Sequence, residues 1–221
     1  MLQGKKILIT AGPTYEPIDP VRFIGNRSSG KMGFAIAEVL VELNAEVYLI
    51  CCPVNVYPYN PSITLYKVET AREMFNKTVE LFSEMDAAIL AAAVSDFTPE
   101  KVYDKKLKKD QLGNDEMIIK LIPTVDILAY LGKIKSSSQV LIGFSLETDN
   151  ELENAISKIE KKNLDFIVLN SLNDKGAGFS TDTNKIKIIN KKGNISEFPL
   201  KLKTEVALDI VNYLDSNYYN R

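Results

Sequence analysis

The sequence of 221 residues contains no histidine. That absence removes every mechanism that needs an imidazole, including Ser-His-Asp and Cys-His nucleophiles, HExxH metal sites and His-ligated zinc. Cysteine is almost as scarce. The two present, Cys51 and Cys52, are adjacent in the apolar run YLICCPV, where neighbouring side chains of a strand point to opposite faces. No CxxC spacing occurs, so they read as buried thiols in a reducing compartment rather than as a redox pair. An excess of positive charge is missing too: 27 basic against 29 acidic residues leave a net charge of −2. Such a chain has no global basic field to hold a polyanion or an anionic membrane, so any anion site must be local, and neither nucleic acid nor membrane is expected as a partner. The start, MLQGKKILIT, has too few apolar residues before AGP for a signal-peptide core or a membrane span. A cytoplasmic protein is expected.

What is there describes a globular chain. With 45% hydrophobic residues it can bury a sizeable core, and its length fits one large domain or two small ones. Lys5 to Thr10 is a short apolar run bounded by glycine, as in a buried parallel strand. After a long polar loop, Met32, Ile36, Val39, Leu40 and Leu43 mark one face of a helix beginning at Lys31. Ala45 to Cys52 and Ile63 to Val68 read as strands. Thr70 and Glu73 have capping-box spacing ahead of a helix reaching about Met85. Ala87 to Val94 suits a central strand buried on both faces. The lysine-rich stretch Pro99 to Asn114 reads as a mobile flap. Then come a strand at Met117 to Ile122, a helix at Thr124 to Ile134 with Thr124 as N-cap, and a strand at Val140 to Ser145. A helix at Glu151 to Lys162 and strands at Asp165 to Asn170 and Ile186 to Ile189 follow. A KKGN turn and a helix at Thr204 to Leu214 close the series. Strands alternating with helices predict a single α/β domain over 1–221, an open, mostly parallel Rossmann-like sheet with ligands near the carboxyl ends of the strands.

Gly25 to Met32 (GNRSSGKM) nearly spells GxxxxGK[ST], but Met32 has no hydroxyl for Mg²⁺ and the stretch lies fifteen residues beyond the first strand. Ser28, Ser29 and Gly30 nonetheless lead into a helix whose free N–H groups favour an anion. Helix capping by Ser28 or Ser29 is the equal alternative. The dinucleotide fingerprint GxGxxG fails because Ser28 precedes Gly30-x-x-Gly33, and no Tyr stands four residues before a Lys. A nicotinamide-dependent reductase is the weaker reading, and a non-catalytic nucleotide-binding module is a further rival.

Four stretches, ITAGPTYEPIDPVRFIGNRSSGKMG, AAAVSDF, KLKK and IGFSLET, resemble phosphopantothenate–cysteine ligase in order and spacing. The resemblance runs from about Lys5 through Asn184. It implies a Mg²⁺-dependent ligase of coenzyme A biosynthesis, in which the carboxylate of 4′-phosphopantothenate attacks CTP, pyrophosphate leaves, and L-cysteine then displaces CMP from the acyl-cytidylate. By the same resemblance, Lys106 contacts the triphosphate, Asn26 stabilises the intermediate and Arg22 lies beside the reaction centre. Ala93 lies near the pantothenate. Leu90, Ala91, Ala92, Asp96, Val125, Asp126, Ile127, Leu128, Phe144, Lys158 and Lys162 match nucleotide-binding positions. The residues alone allow blander roles: Lys106 a solvated charge, Asn26 a turn residue, Arg22 an ion pair with Asp19, Phe144 and the alanines core. Gly25 stands where many relatives carry a small hydroxyl residue, and Ser95 replaces a common alanine. A homodimer is implied, as is a decarboxylase domain as a frequent fused partner.

Overall fold

The computed structural model describes residues 1–55, 57, 60–108, 116–147, 149–171, 176, 178 and 181–220. Six apolar runs become the parallel strands β1 (Lys6–Ala11), β4 (Glu46–Cys51), β5 (Ile63–Lys67), β6 (Ala87–Leu90), β9 (Val140–Glu147) and β10 (Phe166–Ser171). Two antiparallel strands, β11 (Thr183–Asn190) and β12 (Ile195–Leu202), extend one edge, giving the order β12-β11-β10-β9-β6-β1-β4-β5. Counted through the parallel strands alone, this is the doubly wound order 3-2-1-4-5-6, whose direction reverses between β1 and β6. A crevice must open there, because the crossover helices leave to opposite faces.

Helices α1 (Lys31–Glu42) and α5 (Lys203–Leu214) cover one face of the sheet; α2 (Ala71–Phe82), α3 (Ile127–Ile134) and α4 (Glu151–Lys161) cover the other. Alternation along the strands sorts the core accordingly. Ile7, Ile9, Phe166 and Val168 pack towards α1 and α5, whereas Leu8, Ile167 and Leu169 pack towards α2, α3 and α4. Thr70 caps α2 as its spacing predicts, accepting from the Glu73 N–H at 3.1 Å.

Several expectations need correction. The long polar loop holds a hairpin, β2 (Tyr15–Pro17) paired with β3 (Phe23–Gly25), with Tyr15 stacked on Phe23 at 3.8 Å. The strand expected at 117–122 is only Leu121–Pro123 (β8), paired with β7 (Phe97–Pro99) away from the main sheet. Thr124 does not cap α3. Its hydroxyl donates to the Ser95 carbonyl at 2.6 Å, and Asp126 is the cap, accepting from the Ala129 N–H at 2.9 Å. β12 was not foreseen, since its apolar residues lie on a solvent-facing edge that tolerates Pro199. The lysine-rich stretch 99–114 falls partly outside the described residues, including Lys109. Its described part is anchored: the Tyr103 N–H donates to the Ile18 carbonyl at 2.9 Å.

The cysteines are fully buried on opposite faces of β4's end. Burial pushes the Cys51 thiol up to about 12 and raises Cys52 as well. Neither is therefore a thiolate at neutral pH. Iodoacetamide is expected to leave both unmodified in the native protein and to alkylate both in denaturant, as read by intact mass.

Candidate nucleotide and acyl-transfer site

The glycine loop, separated from β1 in sequence by a long insertion, returns to β1 in space. The hairpin β2–β3 is an insertion, after which Gly30 comes to rest against the end of β1. A Cβ on Gly30 would meet the Gly12 nitrogen at 3.3 Å and the Phe34 ring at 2.7 Å, and a Cβ on Gly33 would meet the Ala11 Cβ at 2.7 Å. Gly12 and Gly30 both adopt positive φ, 81° and 76°. Three glycines separated in sequence thus do what GxGxxG does in one stretch: turn sharply after a strand, let a ligand approach the backbone, and pack the helix closely.

Neither serine is the N-cap of α1. Gly30 holds that position and has no side chain to cap with; Ser28 Oγ accepts from the Gly30 N–H at 3.3 Å. The first turn of α1 therefore presents backbone N–H groups and the positive end of its dipole to the crevice.

That crevice is a cavity of about 410 Å³ adjoined by one of about 230 Å³, sharing Ala92, Val94, Asp96 and Phe144 as walls. The larger lobe is lined by Asn26, Ser28, Ser29, Gly30, Ala91, Ala93 and Lys158; the smaller by Leu90, Val125, Asp126, Ile127, Leu128 and Lys162. Sixteen of the eighteen residues singled out from the sequence are thus brought together. Lys162 pairs with Asp126 at 2.9 Å. Burial pushes the Asp126 carboxyl up, but the Ala129 N–H and the Lys162 ammonium outweigh it and hold it below the usual carboxylate range. Lys158 donates to Ser145 Oγ at 2.7 Å. Asn26 is a bridge: its amide nitrogen donates to the carbonyls of Ala93 at 3.0 Å and Val94 at 3.3 Å, tying the chain after β3 to the chain after β6.

Arg22 and Lys106 line neither lobe. Arg22 is engaged with Asp19 and with the Leu107 carbonyl, and Lys106 is exposed. The sequence reading missed Lys203 and Asn184, which line the larger lobe. Lys203 Nζ donates to the carbonyls of Gly178 at 2.9 Å and Thr181 at 2.6 Å. Burial, with Lys31 nearby, holds its ammonium below the ordinary lysine range, against the pull of Asp182. A buried lysine has no sequence signature beyond its place at the start of a helix. The two departures have structural reasons. A Cβ on Gly25 would lie 2.9 Å from the Thr14 carbonyl, and Ser95 Oγ bonds the Phe97 carbonyl at 2.8 Å.

A doubly wound sheet with an uncapped helix N-terminus at its switch point defines the Rossmann-like class of α/β proteins. Within that class, the model of the DNA/pantothenate metabolism flavoprotein C-terminal domain matches residues 2–218, and the chain belongs to this family. It is 43% identical over 210 residues, 95% of this chain and 51% of the relative, to the coenzyme A biosynthesis bifunctional protein CoaBC of Bacillus subtilis. It is 55% identical over 210 residues, 95% of this chain and 58% of the relative, to a cysteine/cysteine sulfinic acid decarboxylase of an unknown prokaryotic organism. The crystal structure of the C-terminal domain of a CoaBC protein superposes with a TM-score of 0.83 at 41% identity, covering 100% of this chain and 98% of that one. The chain spans little more than half the length of these curated relatives.

Proposed function

We propose that residues 1–221 act as one phosphopantothenate–cysteine ligase domain in the cytoplasm, forming the amide between 4′-phosphopantothenate and L-cysteine at the expense of CTP. The observation that carries this reading is the uncapped α1 N-terminus facing a two-lobed cavity with Lys158 and Lys162 on its rim. A triphosphate needs such a cradle, and a nucleoside with an acyl group attached needs two adjoining spaces. The CoaBC relatives point the same way.

In this mechanism the α1 amides, Ser28 and Ser29 hold phosphate oxygens, while Leu90, Ala91, Ala92 and the Val125–Leu128 turn let the nucleoside approach the backbone. Phe144 supplies an apolar wall. The phosphopantothenate carboxylate attacks the α-phosphorus of CTP, the bond to the bridging oxygen breaks, and pyrophosphate leaves with that electron pair. The cysteine amine then attacks the acyl carbon, loses a proton, and expels CMP. Such steps depend on positioning and charge neutralisation, which suits a histidine-free site. Lys158, Lys162 and Lys106 neutralise the triphosphate, and Ala93 with Asn26 walls the acyl end.

Among the described residues no cluster of acidic side chains forms a metal cage. Asp96 lines both lobes, which fits a Mg²⁺ carried largely by phosphates and held to the protein by one carboxylate. It would add positive charge at the departing pyrophosphate.

A homodimer is part of the proposal. Exposed Phe23, Phe97, Val102, Leu121 and Ile122 on and beside the two small two-stranded sheets form the apolar surface a second copy would cover, and a decarboxylase domain is the expected companion activity. A second reading draws on the glycine trio, which also suits a dinucleotide; fluorescence titration with NADPH separates the two, since a ligase is expected to show no binding.

Incubation with CTP, Mg²⁺ and phosphopantothenate, with and without cysteine, tests the main reading. Pyrophosphate release that becomes catalytic only with cysteine is expected, and its absence would overturn the ligase assignment. Lys106→Gln should lower turnover roughly ten- to hundredfold with an unchanged melting temperature, because the side chain is exposed. A near-normal rate returns Lys106 to the role of a solvated charge.

A further inference from the structure

Asp19 is an enclosed carboxylate, although it lies in the turn between β2 and β3. Its side chain has no solvent exposure, and its two oxygens divide their partners. Oδ1 accepts from the backbone N–H groups of Val21 and Arg22, both at 2.9 Å, which closes the β2–β3 turn. Oδ2 accepts from Arg22 Nε at 3.0 Å, from an Arg22 terminal nitrogen, and from the Leu107 N–H at 3.1 Å. The same terminal nitrogen of Arg22 donates to the Leu107 carbonyl at 2.8 Å. Leu107 is therefore held on both its backbone groups by one ion pair, across 85 residues of chain. Both flanking residues are lysines, and the hairpin that carries this ion pair also leads to Asn26.

We infer that Asp19, acting through Arg22, is a positioning residue: it clamps Leu107 so that Lys106 and the Asn26 bridge are carried on one unit. Arg22 then serves as the arm of the clamp. The inference rests on the ligase reading for what Lys106 does, but the clamp itself is a matter of geometry. A free lysine segment would have to be ordered at each turnover, and misplacing a charge by an ångström costs roughly a hundredfold in rate.

Asp19→Asn tests this selectively. An amide oxygen in place of Oδ1 keeps the turn, while an NH₂ in place of Oδ2 turns an acceptor into a donor facing three donors. Two measurements follow, each beside a melting curve. First, trypsin cleavage of the Lys106–Leu107 bond, located by mass spectrometry, should be slow in the native protein, because a pinned Leu107 cannot adopt the extended strand a protease requires. In Asp19→Asn it should be at least roughly tenfold faster. Arg22→Lys, which keeps a charge but loses the fork, should accelerate it as well. Unchanged cleavage in both variants overturns the clamp. Second, pyrophosphate formation in Asp19→Asn should fall roughly ten- to hundredfold while KM for cysteine stays within about twofold. In the Lys106→Gln background the same change should have almost no further effect. Multiplying losses would mean that Asp19 does not act through Lys106. Should the native protein release no pyrophosphate at all, the ligase reading fails and the cleavage measurement alone decides the clamp.

Discussion

Asn26→Asp is expected to abolish amide synthesis and to weaken CTP binding in parallel. The amide nitrogen of Asn26 donates to two carbonyls, of Ala93 and Val94; a carboxylate there would face two oxygens as an acceptor with nothing to accept. Losing those bonds costs about 1–3 kcal/mol. A new negative charge some 4 Å from phosphoryl oxygens adds about 4 kcal/mol at the effective dielectric of a partly wet site. Together these correspond to a loss of roughly a thousandfold or more in synthesis. Calorimetry of CTP binding beside the pyrophosphate assay decides how the loss divides. Intact CTP affinity with lost synthesis would mean that the amide acts on the acyl intermediate and not as a bridge between cavity walls.

Gly132→Ala is expected to be the most damaging small substitution for stability. Gly132 lies buried in α3, and a Cβ there would stand 1.9 Å from the Lys162 carbonyl oxygen, a backbone atom that cannot swing aside. Either α3 or the end of α4 must move. Overpacking of this kind costs about 3 kcal/mol or more, a fall in melting temperature of roughly 6–12 °C for a chain of this size. The damage should reach the site, since Lys162 belongs to the moved segment and pairs with Asp126. Thermal melts and CTP titration measure both effects. A stable variant with weak CTP binding would show that α4 shifts cheaply.

The periodic elements were legible in sequence because burial writes them there. KKILIT reads as an inner strand and becomes β1, whereas of AAILAAAV only Ala87–Leu90 is strand and Ala91 to Val94 leave the sheet half-buried. Thr70 with Glu73 announced α2 by the atoms that cap it. The hairpin β2–β3 was not legible. Its three-residue strands carry no period, and its prolines read as loop. β12 was hidden for the opposite reason: its side chains at the sheet's edge face water as often as protein. At the site, the alanines, Phe144 and the helix lysines were found through their resemblance to a family pattern; composition alone assigned them to core or solvent. The approach of Gly30 to Gly12 has no local trace at all. It depends on where a whole hairpin returns the chain, a tertiary fact.

The two ends of the described chain meet below the amino ends of the parallel strands, away from the cavity at their carboxyl ends. The Met1 amine pairs with Asp215 at 3.0 Å and donates to the Tyr219 carbonyl at 3.0 Å. The hydroxyls of Tyr218 and Tyr219 reach the carbonyls of Asp165 and Asp86, each at 3.0 Å, just before β10 and β6 begin. The order in which the strands follow one another along the polypeptide is thus separable from their arrangement in space. A circular permutant with a short link across residues 1 and 220, newly opened at the 191–193 turn, would keep every crossover. A polypeptide fused at either end would therefore be attached on the side of the sheet away from the mouth of the cavity.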